Sequence, residues 1–565
     1  MPKLFHLHIE NFRCIKEFDY TFKDGLTCII GRGDSGKTTI LDAISCALTP
    51  LNTLIFHDGD FFNCNIDNAI IIEVTLIELT DEILRRFGNQ MRGIKEGKII
   101  KSMLDPEAQD SEPAVTLQLK VEKDLEPQWH VLGVEGTESR FVRASERDLF
   151  NCFYISEYND RHFTLSRGTP LSTLFKQKAE KNVEVLNAEL IADLGRNAKT
   201  SFETAIQSKD VFADVINAIS ENSNNLGLRT GDLMASLDQR EFLLRENKIA
   251  LHQNNIPLRQ LGKGSKRLLS LAIQLSLTDP SGIILIDEIE QGLEPDRVQQ
   301  IVSYLSGKKD VQIIMTTHSS PVIQTLSCSQ LVLKRALNSS LQGFDNRFQG
   351  LVRSHPAAFL ARSIIVAEGK TELGFLRGFE LTRQSLCQIK SFSYYGVCTV
   401  DGNGDECFKT ARCLAELGYH VCLFCDADKP ERSTEKEELR EKGVNILECE
   451  EGNCFEMQLF KDCNWESIKK IIEYRIGCGL DNKSVFENVK TQMTFKPDYQ
   501  ENWYAENNDD LRSALGRSSS KSKWFKNYQN GKELGSIIFE NEGSFIEGSR
   551  LFMNSSRLIA WIQNQ

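Results

Sequence analysis

Apolar and polar residues alternate, or run together, in an order that predicts strands and helices along the N-terminal part of the chain. Alternation over 4–9 and a continuous apolar run over 26–30 predict two strands. Helical spacing predicts a helix over 38–48, with an apolar stripe of Ile40, Leu41, Ile44, Ala47 and Leu48. Further strands are predicted over 69–76 and 116–121, with a polar loop or hairpin over 93–112 between them.

Beyond residue 170 the periodicity changes twice, which divides the chain into predicted domains. A helical pattern extends over 170–245, with a polar break at 220–225 and with stripes of Leu186, Leu190, Ile191 and Leu194 and of Val211, Val215 and Ile219. Apolar runs at 282–287 and 312–316 restore a strand-and-helix alternation, which starts again at 363–367 and 420–425. The polar, irregular stretch 338–354 between them predicts a domain boundary.

Composition and charge are those of a globular intracellular protein. A chain of 565 residues is long enough for about three or four domains. The net charge of −12 still permits a local basic surface that binds DNA. The 16 cysteines are scattered through apolar stretches, which favours a reducing compartment. Because we find neither a signal-peptide pattern nor an apolar run of membrane length, we expect a cytoplasmic protein that does not bind membranes.

Residues 31–38 have the spacing of a phosphate-binding loop between a strand and a helix. Glycines at such positions let backbone N–H groups curl around the phosphates of ATP. Lys37 is predicted to reach the β- and γ-phosphates, and Thr38 to bind Mg²⁺. The residues predicted to hold the nucleotide here are Gly31, Gly33, Asp34, Ser35, Gly36, Lys37, Thr38 and Thr39.

A second nucleotide motif lies where the apolar run 283–286 ends in Asp287 and Glu288. An aspartate at the end of a buried strand can hold the Mg²⁺ shell, and the next carboxylate can orient or deprotonate the attacking water. We therefore predict Asp287 as a metal residue and Glu288 as the catalytic carboxylate of an ATPase.

Four further segments resemble the ATP-binding-cassette (ABC) family, and in particular its DNA-repair-like branch. They are Asn11-Phe12-Arg13, the stretch 261–267 around Ser265, Gly292-Leu293-Glu294, and Thr317-His318-Ser319. An apolar helix is predicted over 268–277, directly after the second of these segments. The resemblance implies that Ser265 contacts the γ-phosphate held by a partner subunit, that Glu294 lies in the D-loop, and that His318 senses the γ-phosphate. The chain departs from the family's LSGGQ signature. Residues 57–62 are a candidate for the family's glutamine loop, and 170–245 favours a compact dimerisation or clamp insertion over a long coiled coil.

Carboxylates gather at predicted strand ends in the C-terminal part of the chain. Glu368 follows the run 363–367, Glu372 lies four residues later, and Asp426 and Asp428 follow the run 420–425. The carboxyl ends of parallel strands meet at one edge of a sheet, where open α/β sheets bind their ligands. Because like charges repel there, the pattern predicts that Mg²⁺ or Mn²⁺ lies among them.

These residues resemble the TOPRIM domain, whose mark is a strand-end Glu-Gly followed by a strand-end Asp-x-Asp. Residues 401–404 lie where that domain carries a glycine-rich turn. An ABC ATPase followed by TOPRIM resembles the overcoming-lysogenization-defect (OLD) nuclease family over nearly the whole chain. The resemblance implies two metals held by Glu368, Glu372, Asp426, Asp428 and Glu456. It also implies a late catalytic lysine, for which Lys526 is the first choice and Lys523 the second, in a stretch where Trp524 and Phe525 pack against DNA or into the core.

The predicted fold class is α/β, an ABC-type P-loop ATPase with a helical dimerisation insertion, followed by a C-terminal TOPRIM domain. The predicted bounds are 1–165 and 249–340 for the ATPase, 166–248 for the insertion and 355–565 for TOPRIM with a C-terminal extension.

The expected function is an ATP-regulated, metal-dependent DNA endonuclease of bacterial anti-phage defence that cuts by two-metal phosphodiester hydrolysis. Expected partners are DNA, further copies of the chain, and either a retron reverse transcriptase with its multicopy single-stranded DNA or a helicase-like protein. The alternative is a non-nucleolytic ATP-gated DNA scaffold or a repair ATPase of the RecF or SMC type.

Overall fold

The computed structural model describes residues 2–51, 54–100, 111–133, 139–155, 163, 170–171, 174–175, 210–228, 231–237, 249–277, 282–335, 339–479, 481–540 and 543–565. The chain divides into two compact units, Met1–Pro356 and Ala357–Gln565. No helix within these described ranges is both long enough and apolar enough to cross a membrane.

The strands of the first unit form two large sheets and a small one. Their bounds are β1 Lys3–Phe12, β2 Ile15–Thr21, β3 Leu26–Ile30, β4 Ile70–Ile77, β5 Arg92–Lys95, β6 Lys98–Ile100, β7 Glu112–Val121, β8 Pro127–Leu132, β9 Arg140–Phe141, β10 Cys152–Ile155, β11 Leu233–Leu237, β12 Ile249–Gln253, β13 Ile256–Pro257, β14 Ile283–Ile286, β15 Gln312–Thr316, β16 Leu331–Leu333 and β17 Gln342–Gly343. The larger sheet is antiparallel in the order β2-β1-β4-β7-β5-β6, with β8 beside β7 and β9 beside β8. The second has the order β10-β14-β15-β3-β16-β17, parallel except for β17, and the third the order β11-β12-β13.

Helices of the first unit connect and cover these sheets. Their bounds are α1 Lys37–Leu48, α2 Asp81–Phe87, α3 Ala144–Arg147, α4 Asp210–Asn225, α5 Lys263–Leu277, α6 Pro295–Ser306, α7 Ser320–Thr325 and α8 Gln349–Ser354. Helix α1 packs in one hydrophobic core with the inner face of the antiparallel sheet and with β14 and β15. Strands β3, β14 and β15 are buried along their whole length, as the apolar runs predict for parallel strands covered on both faces.

The second unit is built on a four-stranded sheet in the order β19-β18-β20-β21, in which all three pairs are parallel. Its strands are β18 Ser363–Ala367, β19 Val397–Asp401, β20 His420–Cys425 and β21 Asn445–Glu448. Its helices are α9 Lys370–Ser385, α10 Cys407–Glu416, α11 Ser433–Glu441, α12 Phe455–Asp462, α13 Trp465–Gly477, α14 Asn482–Lys490, α15 Asp509–Lys521, α16 Tyr528–Phe539 and α17 Arg550–Gln563.

Most predicted strands agree with the structure, and the segment predicted as a loop or hairpin between β4 and β7 contains the hairpin of β5 and β6. Three predictions were wrong. Residues 220–225 do not break a helix but finish α4, because Ser223 is fully buried and Asn222 donates to Ser276 Oγ at 2.9 Å. Residues 233–237 are not helical but form β11, which pairs with β12. Helix α5 begins at Lys263 rather than at the predicted Leu268, so residues 263–267 of the signature segment lie within the helix. The predicted stripe of Leu186, Leu190, Ile191 and Leu194 lies outside the described residues.

Candidate functional site

The phosphate-binding loop connects β3 to α1 and is held open by backbone that favours glycine. Gly36 caps α1 with φ +90° and ψ +18° in the left-handed region. Gly31 has φ +143°, and a Cβ there would lie 2.3 Å from the carbonyl oxygen of Lys334. The loop therefore needs glycine at both positions, because a side chain would strain the backbone or collide with it.

Lys37 lies at the centre of this loop and is buried, with 4% of its surface exposed. Its Nζ donates to the carbonyl oxygens of Gly31 at 3.1 Å and of Arg32 at 2.8 Å. Burial lowers the pKa of Lys37 to about 8, against the opposing attraction of Asp287. An anionic phosphate in the loop would favour the charged ammonium and so raise this pKa.

Asp287 and Thr38 meet at the end of β14, as the two motifs predict. The Thr38 hydroxyl donates to Asp287, with 3.1 Å to either carboxylate oxygen. The hydroxyl of Thr316, at the end of β15, donates to the same carboxylate at 2.6 Å. A hydroxyl and a carboxylate at this distance can share a Mg²⁺ ion, since both are oxygen ligands.

Glu288 follows with φ +45°, a strained backbone for a residue other than glycine. Its N–H donates to Thr316 Oγ1 at 2.9 Å, and the buried guanidinium of Arg267 donates to its carbonyl oxygen at 3.2 Å. Arg267 also donates to the carbonyl oxygen of Asp287. Three hydrogen bonds, made with the side chains of Thr316 and Arg267, thus hold the strained backbone at Glu288 in place.

His318 lies near the charges of Lys37, Asp287 and Glu288. Its N–H donates to Glu290 Oε1 at 2.5 Å, and the Thr317 hydroxyl donates to Glu290 Oε2 at 2.7 Å. Burial, and then repulsion from Lys37, lowers the pKa of His318, so its imidazole is neutral at physiological pH. A neutral imidazole can donate one hydrogen bond to a phosphate oxygen.

Ser265 lies in the first turn of α5 and is half-buried. The neighbouring Gly264 packs so closely that a Cβ would lie 2.8 Å from the carbonyl oxygen of Gly292. The signature segment and the segment 292–294 of one chain are therefore in direct contact. Glu294 caps α6 by its backbone and pairs with Arg297 at 3.3 Å.

Sequence patterns missed Tyr154 and Asp42 beside this pocket. Tyr154 of β10 donates its hydroxyl to Asp42 Oδ1 at 2.7 Å, and burial, followed by Asp42, raises the pKa of this phenol. Arg13 pairs with both Asp42 and Asp60. Asp60 belongs to the predicted glutamine-loop segment 57–62, so this segment contacts Arg13 through a carboxylate. The segment contains no glutamine. No single motif joins residues so far apart in sequence.

In the second unit the predicted carboxylates converge at the carboxyl edge of the sheet. Strands β18 and β20 are neighbours with Ala367 opposite Phe424, so the residues that follow them lie side by side. Glu368 Oε2 accepts the N–H of Asp426 at 2.7 Å. Asp426 Oδ1 in turn accepts the N–H of Phe455 at 2.7 Å, which brings the start of α12 to the same edge.

Glu456, in the first turn of α12, is fully buried at 0% exposure. Within the described chain, neither of its carboxylate oxygens accepts a hydrogen bond. Lys526 lies 3.3 Å away from Oε1 as an ion-pair partner, with 43% of its own side chain exposed. A buried carboxylate with a single cationic neighbour has bonding capacity left for another positive group.

Burial and mutual repulsion raise the pKa values of two members of this carboxylate cluster (Glu368, Glu372, Asp426, Asp428 and Glu456). Burial is the largest cause that raises the pKa of Glu372, and the charge of Glu456 raises it further. The hydrogen bond from the N–H of Gly369 to Glu372 Oε2, at 3.0 Å, opposes this rise. For Asp426 burial is followed by the charges of Glu372 and Glu368. Burial favours neutral Lys526, but Glu456 and Glu372 outweigh it and raise the pKa of this ammonium.

The donor chemistry of the carboxylate cluster fits a hard divalent cation, which prefers carboxylate oxygens and offsets their repulsion. No group of three or more His, Cys, Asp or Glu side chains in the described ranges already has the geometry of a metal site. The backbone N–H groups named above occupy one oxygen each of Glu368, Glu372 and Asp426, which leaves the second oxygens and both oxygens of Glu456 as possible ligands.

The other C-terminal predictions have different positions. Lys523 is exposed with φ +54°, and it forms no ion pair within the described residues. Trp524 and Phe525 are buried at 1% and 0% exposure, so they belong to the core. Asp428 is exposed at the rim of the cluster. Within the predicted glycine-rich turn 401–404, the N–H of Asn403 donates to Asp401 Oδ1 at 2.9 Å.

Lys436 is a further residue that no sequence pattern predicted. This buried lysine of α11 donates to the carbonyl oxygen of Asp426 at 2.9 Å and pairs with Glu448 at 3.0 Å. Its positive charge therefore lies next to the end of β20, where Asp426 and Asp428 follow the strand.

Comparison with known proteins identifies the first unit. Residues 3–181 match the family model described as "AAA ATPase domain". Residues 171–323 match the model described as "AAA domain, putative AbiEii toxin, Type IV TA system".

Three curated proteins are similar to the chain at low identity. "Retron Ec83 probable ATPase" of Escherichia coli is 26% identical over 58% of this chain and 70% of its own length. "Retron Vc95 probable ATPase" of Vibrio cholerae serotype O1 biovar El Tor is 22% identical over 60% and 74%. "DNA replication and repair protein RecF" of Lactobacillus acidophilus is 24% identical over 55% and 91%. The chain is therefore an ATPase of the AAA/ABC type, related to retron ATPases and to RecF-like repair ATPases.

Proposed function

We propose that the second unit is a metal-dependent DNA endonuclease and that the ATPase of the first unit regulates it. The observation that carries this proposal is Glu456, a fully buried carboxylate whose oxygens accept no hydrogen bond from the described residues. A buried carboxylate is unfavourable unless positive charge offsets it, and Lys526 at 3.3 Å supplies one such charge to Glu456. One lysine offers one charge to a cluster of five carboxyl groups, so a divalent cation is the natural further partner.

The carboxylate cluster would hold Mg²⁺ or Mn²⁺, and Lys526 would face the phosphate of the substrate. A divalent cation bound there supplies positive charge that lowers the pKa of a water molecule and offsets the charge of a phosphodiester. Lys526 is half-exposed, so its ammonium can contact both Glu456 and an arriving phosphate oxygen. Asp426 is fixed through its N–H by Glu368 and through its carbonyl oxygen by Lys436, which sets the direction of its free carboxylate oxygen.

ATP acts in this proposal as a regulator, since Lys37, Thr38, Asp287 and Glu288 form a separate nucleotide pocket in the first unit. The Ser265 segment of one chain would complete the pocket of another, so that ATP binding assembles a dimer or a larger oligomer. The retron relatives favour a reverse transcriptase with its multicopy single-stranded DNA as the partner in anti-phage defence.

Supercoiled plasmid tests the nuclease. The full-length protein, its Glu456→Gln variant and the matched Glu487→Gln variant, changed at an exposed carboxylate of α14, are each incubated with Mg²⁺ or Mn²⁺ and ATP. We expect nicked or linear DNA from the unmodified protein and from Glu487→Gln. Glu456→Gln should lose at least about 100-fold in rate, because the buried charge that attracts the cation is gone.

The second candidate function is an ATP-gated DNA scaffold or repair ATPase, which the similarity to RecF over 91% of that protein's length favours. Unchanged plasmid and unchanged single-stranded DNA with every metal and nucleotide, together with ATP-dependent DNA binding, would support this function and refute the nuclease. Equal cutting by Glu456→Gln would also refute the site proposed here.

A further inference from the structure

A surface cleft opens between α12 and α15, and its lining begins one residue after Glu456 of the carboxylate cluster. It has a volume of about 640 Å³. Its lining includes Asn453 and Met457 on one side and Arg512, Ser513 and Arg517 on the other. Gly516 allows the two helices to approach, because a Cβ there would already lie 3.0 Å from the Met457 Cα.

Two short connections join this cleft to the cluster. Met457 is the residue after Glu456, so one turn of α12 carries a cluster carboxylate and a cleft wall. Asn453 accepts the N–H of Ala427 at 3.1 Å through its carbonyl oxygen, and Ala427 lies between Asp426 and Asp428. A polymer with one phosphate at the cluster would therefore have its adjoining part at the cleft.

The charge of the cleft is positive although the whole chain is acidic. Arg512 donates to Asn507 Oδ1 at 2.7 Å and to the carbonyl oxygens of Phe460 at 2.9 Å and Cys463 at 2.7 Å, and it forms no ion pair with a carboxylate of the described chain. Arg517 is exposed, and it too forms no ion pair with a described residue. The remaining charges are Lys461, which pairs with Glu450, and one carboxylate, Asp509.

Lys521 extends the positive surface. It lies four residues after Arg517, on the same face of α15, and the described residues provide no ion-pair partner for it. Exposed cations without carboxylate partners interact with phosphate at little cost, because no existing ion pair must be broken.

We infer that this cleft binds a single strand of DNA next to the phosphate that is cut, so that the substrate of the second unit has an unpaired segment. The inference rests on the proposed nuclease and specifies its substrate. Pockets of ~300–1,000 Å³ enclose ligands of drug size. A cleft within this range accepts about one or two nucleotides of a single strand. A double helix is too wide for it, because a duplex presents two backbones and two grooves side by side.

The lining also determines how the strand is held. Asn507 and Ser513 offer neutral hydrogen-bonding groups, and Met457 and Ile546 offer apolar surface for a base. None of the described lining residues is aromatic, so the stacking that strengthens many single-strand sites contributes little here. Phosphate contacts then dominate the binding, and affinity must fall steeply with salt.

Fluorescence anisotropy tests the inference with the full-length Glu456→Gln protein, which separates binding from cutting. The probes are a labelled single DNA strand of about 15 nucleotides and its blunt duplex. On this background, Arg517→Glu reverses one charge, Ser513→Trp fills the cleft without changing charge, and Lys483→Glu reverses an exposed charge on α14 as the matched control.

We expect both cleft variants to weaken single-strand binding on the order of tenfold, and Arg517→Glu to reduce the salt slope by about 0.7. The control should bind like the parent, and the duplex should bind more weakly than the strand. Equal effects of Arg517→Glu and Lys483→Glu, unchanged binding by Ser513→Trp, or preference for the duplex would each overturn the inference. Plasmid cutting by the unmodified protein would then still support the nuclease, and cleft-dependent binding without any cutting would refute only the nuclease.

Discussion

Two histidines on the first strand show how the charge of one side chain depends on its cross-strand neighbours. His8 of β1 lies opposite Asp19 of β2 and Glu73 of β4. Its Nδ1 lies 2.5 Å from Asp19 Oδ2 and its Nε2 lies 3.0 Å from Glu10 Oε1, while His6 lies 2.6 Å from the other oxygen of Asp19. Burial works to lower the pKa of His8, but the bonds to Asp19 and Glu10 outweigh it and raise this pKa above 6.5.

This shift predicts a pH-dependent contribution of His8 to stability. The folded state holds the proton more tightly than the unfolded state, so the contribution is complete below the ordinary pKa of 6.5 and is lost as pH rises through the folded value. The melting temperature of His8→Gln should therefore fall below that of the parent at about pH 6, and the difference should shrink by about pH 8. His57→Gln, at an exposed histidine of the same unit, is the control. A difference that grows with pH would contradict the prediction.

Single residues were predictable from the sequence where a local motif determines their role. The spacing of the phosphate-binding loop predicted Lys37 and Thr38, and a strand end predicted Asp287, because backbone geometry within a few residues dictates these choices. Thr316 and Lys436 escaped prediction. Their partners are Asp287 and Asp426, and only the folded sheet brings these pairs together.

At the scale of elements, helices α9 and α16 pack through glycines on both partners. A Cβ at Gly374 or Gly378 would lie 2.2 Å from a backbone oxygen of α16, and one at Gly531 would lie 2.3 Å from the Thr371 carbonyl oxygen. The Thr371 hydroxyl also donates to the carbonyl oxygen of Phe525 at 2.9 Å. This close contact places Lys526 beside the start of α9, which carries Glu372.

Replacing Gly531 by alanine should force these helices apart and destabilise the second unit by about 1–3 kcal/mol. Gly477→Ala in α13 meets open space, so it should be neutral or stabilising by up to about 1 kcal/mol. Urea titrations followed by tryptophan fluorescence report mainly this unit, because Trp465, Trp503, Trp524 and Trp561 all belong to it. Equal midpoints for the two variants would refute the close-packing argument.

Elements were predictable where the hydrophobic period is strong, as in β3, β15, β18 and β20, whose predicted bounds agree with the structure. Prediction failed where a tertiary contact replaces apolar periodicity. The end of α4 is polar in sequence but hydrogen-bonds to α5 and α6, through Ser276 and Tyr304. The helices after residue 463 gave no clear pattern, in part because glycines inside α16 are typical of breaks rather than of close helix packing.

At the scale of the whole molecule, the proposed exchange of Ser265 segments predicts complementation between two inactive variants. Lys37→Ala removes the phosphate contact of one pocket, and Ser265→Arg blocks the surface that completes the other. Each variant alone should lose ATP hydrolysis, whereas a co-expressed mixture should recover about a quarter of the normal rate, since half of the dimers are mixed and each has one intact pocket. Phosphate release from the unfractionated mixture measures this recovery, and doubly tagged complexes, in which every dimer is mixed, should reach about half of the normal rate.

The control for this experiment is Ser303→Arg, on the exposed face of α6, which should retain full activity alone. No recovery in the mixture, or full turnover by Ser265→Arg alone, would show that each chain hydrolyses ATP without its neighbour.

Asp426 has a consequence for how the chain folds during synthesis. Its partners Glu368 and Phe455 lie 58 and 29 residues away in sequence, and Lys526, which reaches the same cluster, lies later still. Closing such loops costs entropy before any contact compensates for it. A ribosome-bound chain that has not yet released α16 therefore carries the acidic side chains without their lysine, and the assembled centre is a late product of folding.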